Sequence, residues 1–129
     1  MRVVTFALAA GVTVASAVVA QETFVGTWEV TIEVPGVQTN PTTWTVSERD
    51  GTYDVTIEGG SDAMNSWLGE RISLVIAFDG TRFTMTSTYR REDADAFMVV
   101  NSGVIDGDTF EGTSKFGPAP EYRLKGSRR

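Results

Sequence analysis

The sequence predicts an all-β fold: an eight-stranded antiparallel up-and-down meander barrel. Three observations predict it. Asp-Gly occurs at Asp50-Gly51, Asp79-Gly80 and Asp106-Gly107, each pair between apolar/polar alternating runs. Most runs carry one apolar and one wet face, the period-two signature of half-buried strands. Successive runs are joined by short links, so a meander is favoured over a sandwich, which needs longer crossing connections. Asp-Gly suits a two-residue type I′ hairpin because both central residues need φ > 0, where glycine has no Cβ to clash. Eight strands of this length in one sheet usually close into a barrel.

The first strand is expected over 24–34, with Trp28, Val30, Ile32 and Val34 on one face and Thr27, Glu29, Thr31 and Glu33 on the other. Pro35-Gly36 turns the chain. The second, over 42–49, sets Trp44 and Val46 against Thr43, Thr45 and Ser47; the third, over 52–58, sets Tyr53, Val55 and Ile57 against Asp54, Thr56 and Glu58. The fourth, over 70–78, aligns Ile72, Leu74, Ile76 and Phe78. The fifth, over 81–89, aligns Phe83, Met85, Ser87 and Tyr89. The sixth, over 96–105, is apolar on both faces. The seventh, over 109–115, groups Phe110, Gly112 and Ser114 with Phe116, and the last, over 120–128, groups Tyr122, Leu124, Gly126 and Arg128.

Three links break the pattern. The segment 59–69 carries Met64, Trp67 and Leu68 among Gly, Ser, Asp and Asn, and Asp62 can cap one short helical turn there. Arg90 to Asp95 is a charged tip. Pro118 and Pro120 interrupt the stretch before the last strand, since proline cannot donate to a ladder.

Residues 1–20 read as a secretory signal peptide: Arg2, then an apolar stretch, then small residues before Gln21. The apolar stretch is shorter than the about 20 residues of a spanning helix. Residues 21–129 then form a single barrel domain of an exported protein, periplasmic or extracellular. The chain holds no Cys and no His and carries a net charge of −6. That removes a disulfide framework, a His-based nucleophile system and the usual zinc and haem ligands. No cofactor or metal is implied, and the negative charge argues against a nucleic-acid partner. Acidic tips at Glu92, Asp93 and Asp95 and at Asp106 and Asp108 do not match the spacing of a calcium loop.

The first strand opens on Val25-Gly26-Thr27-Trp28. A Gly-X-Trp at the start of such a meander resembles the lipocalins and the wider calycin group. It also resembles small exported bacterial proteins that pair this opening with an ending like DGDTFEGT. The calycin resemblance implies that Trp28 closes the barrel bottom and that a basic residue of the last strand, here Arg128, packs over its ring. It implies carriage of a small ligand. The long C-terminal helix and the disulfide of typical lipocalins are lacking.

The expected function is binding of a small apolar molecule inside the barrel. Met64, Trp67 and Leu68 are the expected gate at the mouth, with simple plugging of the barrel end as the alternative reading of Trp67. Trp44, Phe78, Phe83, Met85, Tyr89 and Phe97 are the expected lining, and Asn101 with Tyr89 is the expected polar anchor. A structural module with a filled barrel is the alternative. Its interaction surface, and a possible homodimer contact, is the apolar outer wall of Val75, Ala77, Met98, Val100 and Val104. A cavity-templated isomerase or cyclase would need a carboxylate with a raised pKa, such as Glu48 or Glu70, or a Tyr.

Overall fold

The computed structural model describes residues 23–36, 40–92 and 94–129, with the side chains of 62–64 excluded. The expected signal peptide lies outside the described residues. Eight strands follow in order: β1 (Gly26–Glu33), β2 (Thr42–Arg49), β3 (Thr52–Gly59), β4 (Glu70–Asp79), β5 (Arg82–Arg90), β6 (Phe97–Asp106), β7 (Thr109–Phe116) and β8 (Glu121–Arg128). A short helix, α1 (Asp62–Leu68), joins β3 to β4. The strands form a single antiparallel sheet in the order β3-β2-β1-β8-β7-β6-β5-β4. The chain is therefore an up-and-down meander coiled into a nearly closed barrel.

Closure stops at β3 and β4, the two edges of the sheet. Arg71 spans this seam: its Nη1 donates to the Val55 carbonyl at 2.7 Å, and its Nη2 lies 3.5 Å from the Asp54 carboxylate. Arg71 points inward because the β4–β5 register slips between Arg71 and Ser73. A bulge adds one unpaired residue and reverses the faces on one side of it. Ile72, expected on the inner face with Leu74, is consequently exposed.

The hairpins divide into two kinds. Arg49 pairs with Thr52, so Asp50 (φ 53) and Gly51 (φ 80) are the two central residues and both take positive φ. This is the expected type I′ geometry. At the other two Asp-Gly sites the aspartate is the last paired residue: Asp79 faces Arg82 and Asp106 faces Thr109. Gly80 (φ 62) and Gly107 (φ 63) then hold the first central position, with Thr81 and Asp108 following at ordinary φ. Positive φ at the first position alone is the type II′ signature.

The lower half of the barrel is solid. Trp28, Phe24, Phe83 and Phe110 are buried there with Val46, Val55, Met85 and Ile105. The Phe24 and Phe83 rings stack at 4.4 Å, and Phe110 sits edge-on to Phe83 at 5.0 Å. Two glycines make room for these rings. Phe83 pairs directly with Gly103, and Phe110 with Gly126. A Cβ on Gly126 would lie 2.2 Å from the Phe110 ring, and one on Gly103 would lie 2.8 Å from the Phe83 ring.

The bottom is sealed as Gly26, Trp28 and Arg128 imply. The Arg128 guanidinium lies 4.3 Å from the Trp28 ring centroid. It also bonds the carbonyls of Val25 and Thr23 and the carboxylate of Asp108. The Trp28 indole donates to the Phe24 carbonyl at 2.9 Å. Gly26 has φ +136, a conformation that side-chain-bearing residues rarely adopt, and a Cβ there would also crowd the Arg128 guanidinium.

Candidate functional site

Above the aromatic plug the barrel is hollow. A cavity of about 580 Å³ occupies the upper half and opens at the end covered by α1. Its walls come from both arms of the sheet. Val30, Ile32, Thr42, Trp44 and Ile57 line one side, and Tyr89, Val99, Asn101, Phe116 and Tyr122 the other. Asn40, Gly60, Ser61, Asn65, Trp67, Leu68 and Ala119 rim the mouth. No Asp, Glu, Lys or Arg appears among the described lining residues.

The mouth is held by specific bonds. Asn65 Nδ2 donates to the Gly59 carbonyl at 3.0 Å, tying α1 to the end of β3. Gly69 (φ 80) follows the last helical residue in the left-handed conformation that stops a helix. A Cβ there would meet the Arg90 carbonyl at 2.6 Å, so α1 turns tightly against the end of β5. On the far rim, Lys115 Nζ donates to the carbonyls of Gly117 and Ala119 at 3.0 and 2.8 Å, fixing the β7–β8 link.

Trp67 is 45% exposed. Its ring tilts against Phe97 at 5.1 Å, and the Arg91 guanidinium lies 5.0 Å from its centroid. Phe97 stacks in turn on Tyr89 at 6.0 Å. The Trp67 side chain thus leans against the β5–β6 corner instead of being buried in the barrel.

The expected site residues separate by depth. Trp44, Trp67, Leu68, Tyr89 and Asn101 border the cavity. Phe97 packs behind Trp67 and Tyr89. Phe83 and Met85 belong to the solid lower half, and Phe78 packs against that cluster. The side chain of Met64 lies outside the described residues. Val30, Ile32, Ile57, Val99, Phe116 and Tyr122 also line the cavity and were not singled out from sequence. Their inward parity was the available signal; their height in the barrel was not.

Burial pushes the Tyr89 phenol above its ordinary ionisation range, while the Arg71 charge and the Ser87 hydroxyl partly oppose this. The phenol is therefore a neutral wall group at physiological pH. Glu48 is exposed at the bottom rim, where its carboxylate accepts from the Gly51 amide at 2.6 Å. Glu70 is exposed at the start of β4. Neither carboxylate borders the cavity. Among the described residues no three acidic side chains converge to hold a metal.

Val75, Ala77, Met98 and Val104 are exposed on the outer wall, and Val100 is half-buried between Thr86 and Lys115. No described helix is long and apolar enough to cross a membrane. No family model, curated protein or solved structure matches this chain.

Proposed function

We propose that the protein is a calycin-like, exported barrel that binds a small apolar molecule in its upper cavity. One observation carries this reading: a void of about 580 Å³, walled mainly by aliphatic and aromatic side chains, above a plugged floor and below a short helix. Ligand pockets typically measure about 300–1,000 Å³ and are mostly apolar with a few placed polar groups. The driving force is burial of ligand surface, about 25 cal/mol per Å² before association costs. Binding is favoured over turnover because neither Glu48 nor Glu70 borders the void.

Trp44 and Trp67 make the test direct. Titration with a neutral naphthylamine probe is expected to change tryptophan emission and raise probe fluorescence. Trp67→Ala is expected to weaken binding by about tenfold through lost contact area. Absence of any saturable change up to the probe's solubility limit would remove the reading.

A second reading concerns the outside of the barrel. Val75 and Met98 are 62% and 54% exposed on one wall. An apolar wall of this kind marks an interaction surface, and a second copy of the chain is the simplest occupant. Light scattering behind a sizing column is expected to show mass rising with concentration. Val75→Lys is expected to abolish the rise. A strict monomer at high micromolar concentration would end this reading.

A further inference from the structure

Three arginines are half-buried among the described residues: Arg71, Arg91 and Arg128. Arg71 and Arg128 each bond a backbone carbonyl and pair with a carboxylate. Arg91 does neither among the described residues, although Glu92 and Asp95 stand in the same link. Its guanidinium lies 5.0 Å from the Trp67 ring centroid and 5.3 Å from that of Phe97. Its Nε is closed off from solvent without a hydrogen-bond partner, whereas Nη1 and Nη2 are not closed off. A partly dehydrated cation without a counter-charge is costly, and contact with aromatic faces offsets only part of that cost. Trp67 both carries this cation and rims the cavity. The unpaired charge therefore stands at the mouth of a void whose described lining holds no charged side chain.

Resting on the cavity-binding reading, we propose that the ligand is an apolar molecule ending in one carboxylate, its body inside the cavity and its carboxylate at the mouth against Arg91. The chemistry selects the class. A guanidinium has only donors, so its partner must accept. A carboxylate takes the two open nitrogens in a parallel pair of bonds and supplies the missing counter-charge. Carrying that charge down among the lining side chains would be costly, which keeps the head at the mouth and orients the ligand. An ammonium head would meet a like charge. An alcohol would accept one bond and leave the charge uncompensated.

Octanoate, octanol and octylamine share one tail and differ in the head, so calorimetric titration of the three at neutral pH tests the proposal. Octanoate is expected to bind most tightly. Arg91→Gln removes the charge and keeps a polar side chain. It is expected to cost octanoate about tenfold in affinity and to leave octanol unchanged. Rising ionic strength is expected to weaken octanoate and not octanol, because salt screens the local pair. The chain's net charge of −6 repels anions at long range, so without a local seat salt would strengthen octanoate binding instead. The salt series needs no variant and provides the test if Arg91→Gln does not fold.

Octanoate affinity that rises with salt, or that is equal in the wild type and the folded variant, would overturn the proposal. Equal losses of octanoate and octanol in the variant would overturn it too, since Arg91 would then act only by propping Trp67. Tighter binding of octylamine than octanoate would do the same. In each case the apolar-cavity reading survives, because the octyl tail still binds. Failure of all three compounds to bind the wild-type chain would instead remove the cavity reading and this proposal with it.

Discussion

The lower barrel depends on two glycines whose role is volume. Gly126 sits under the Phe110 ring in a direct cross-strand pair. An aromatic ring laid over a glycine on the next strand pins register and fills the space a side chain would take. Gly126→Ala is expected to destabilise the protein by about 1–3 kcal/mol, because the plug is already full. Phe110→Leu in the same chain is expected to recover part of that loss, an interaction that a double-mutant cycle in urea would read. Independent, additive losses would mean that the ring and the methyl do not compete. Tyr89 sets a second residue-scale expectation. Its phenol ionises above the ordinary value of about 10 in the fold and near about 10 in the unfolded chain. The unfolded chain therefore releases the proton first, and stability falls as pH rises past about 10. The contribution is complete below that value. Unfolding free energy between about pH 9 and pH 11 should drop in the wild type and drop less steeply in Tyr89→Phe.

At the scale of elements, strand positions follow from local chemistry, and the local chemistry is in the sequence. Alternation in β2, β5 and β8 and turn residues between them mark each element to within a residue or two. What escapes is what one extra residue does. Ile72, Leu74 and Ile76 alternate without a break, yet the bulge between Arg71 and Ser73 turns Ile72 outward and Arg71 inward. An apolar residue at the bulge keeps the written pattern intact, so only the pairing with β5 reveals it. The bulge in turn determines how the seam is closed. Arg71→Leu keeps the inner-face bulk, removes the donor to Val55 and is expected to cost about 1 kcal/mol. Amide exchange should accelerate on β3 and upper β4, with little change on β6 to β8. Uniform acceleration would show that the seam and the sheet open together. The same substitution removes the charge that holds Tyr89 down, so its phenol should titrate higher still.

At the scale of the molecule, the barrel is asymmetric along its axis and around its girth. The exterior of β1, β7 and β8 carries ion pairs, Lys125 with Glu33, Arg129 with Glu29 and Arg123 with Glu111. The exterior of β4 and β6 presents Val75, Ala77, Met98 and Val104. Both walls are visible in the sequence once parity is assigned. The axial asymmetry is not. Phe83, Met85 and Tyr89 share one face of β5, yet the first two fill the plug and the third lines the void. Height in the barrel depends on the stagger between strands, which accumulates around the sheet and has no signature in any one strand.

A plugged bottom, a hollow top and an unpaired seam together imply where a ligand would act on stability. Filling the void adds packing to Val30, Trp44 and Val99, which line it, and leaves the Phe24–Trp28–Phe110 plug unchanged. A ligand at 100 times its dissociation constant adds about 2.7 kcal/mol to the unfolding free energy. For a domain of this size about 1 kcal/mol shifts the midpoint by several degrees. The neutral naphthylamine probe is therefore expected to raise the thermal midpoint with its concentration. Exchange protection should grow first on α1 and the upper halves of β2, β6 and β8, because opening of that end is what the ligand resists. The lower halves, already protected by a solid core, should change only as far as global unfolding is suppressed. A rise in midpoint with protection spread evenly over the barrel would indicate binding to the outer wall, and Val75→Lys would then remove the shift where Trp67→Ala would not.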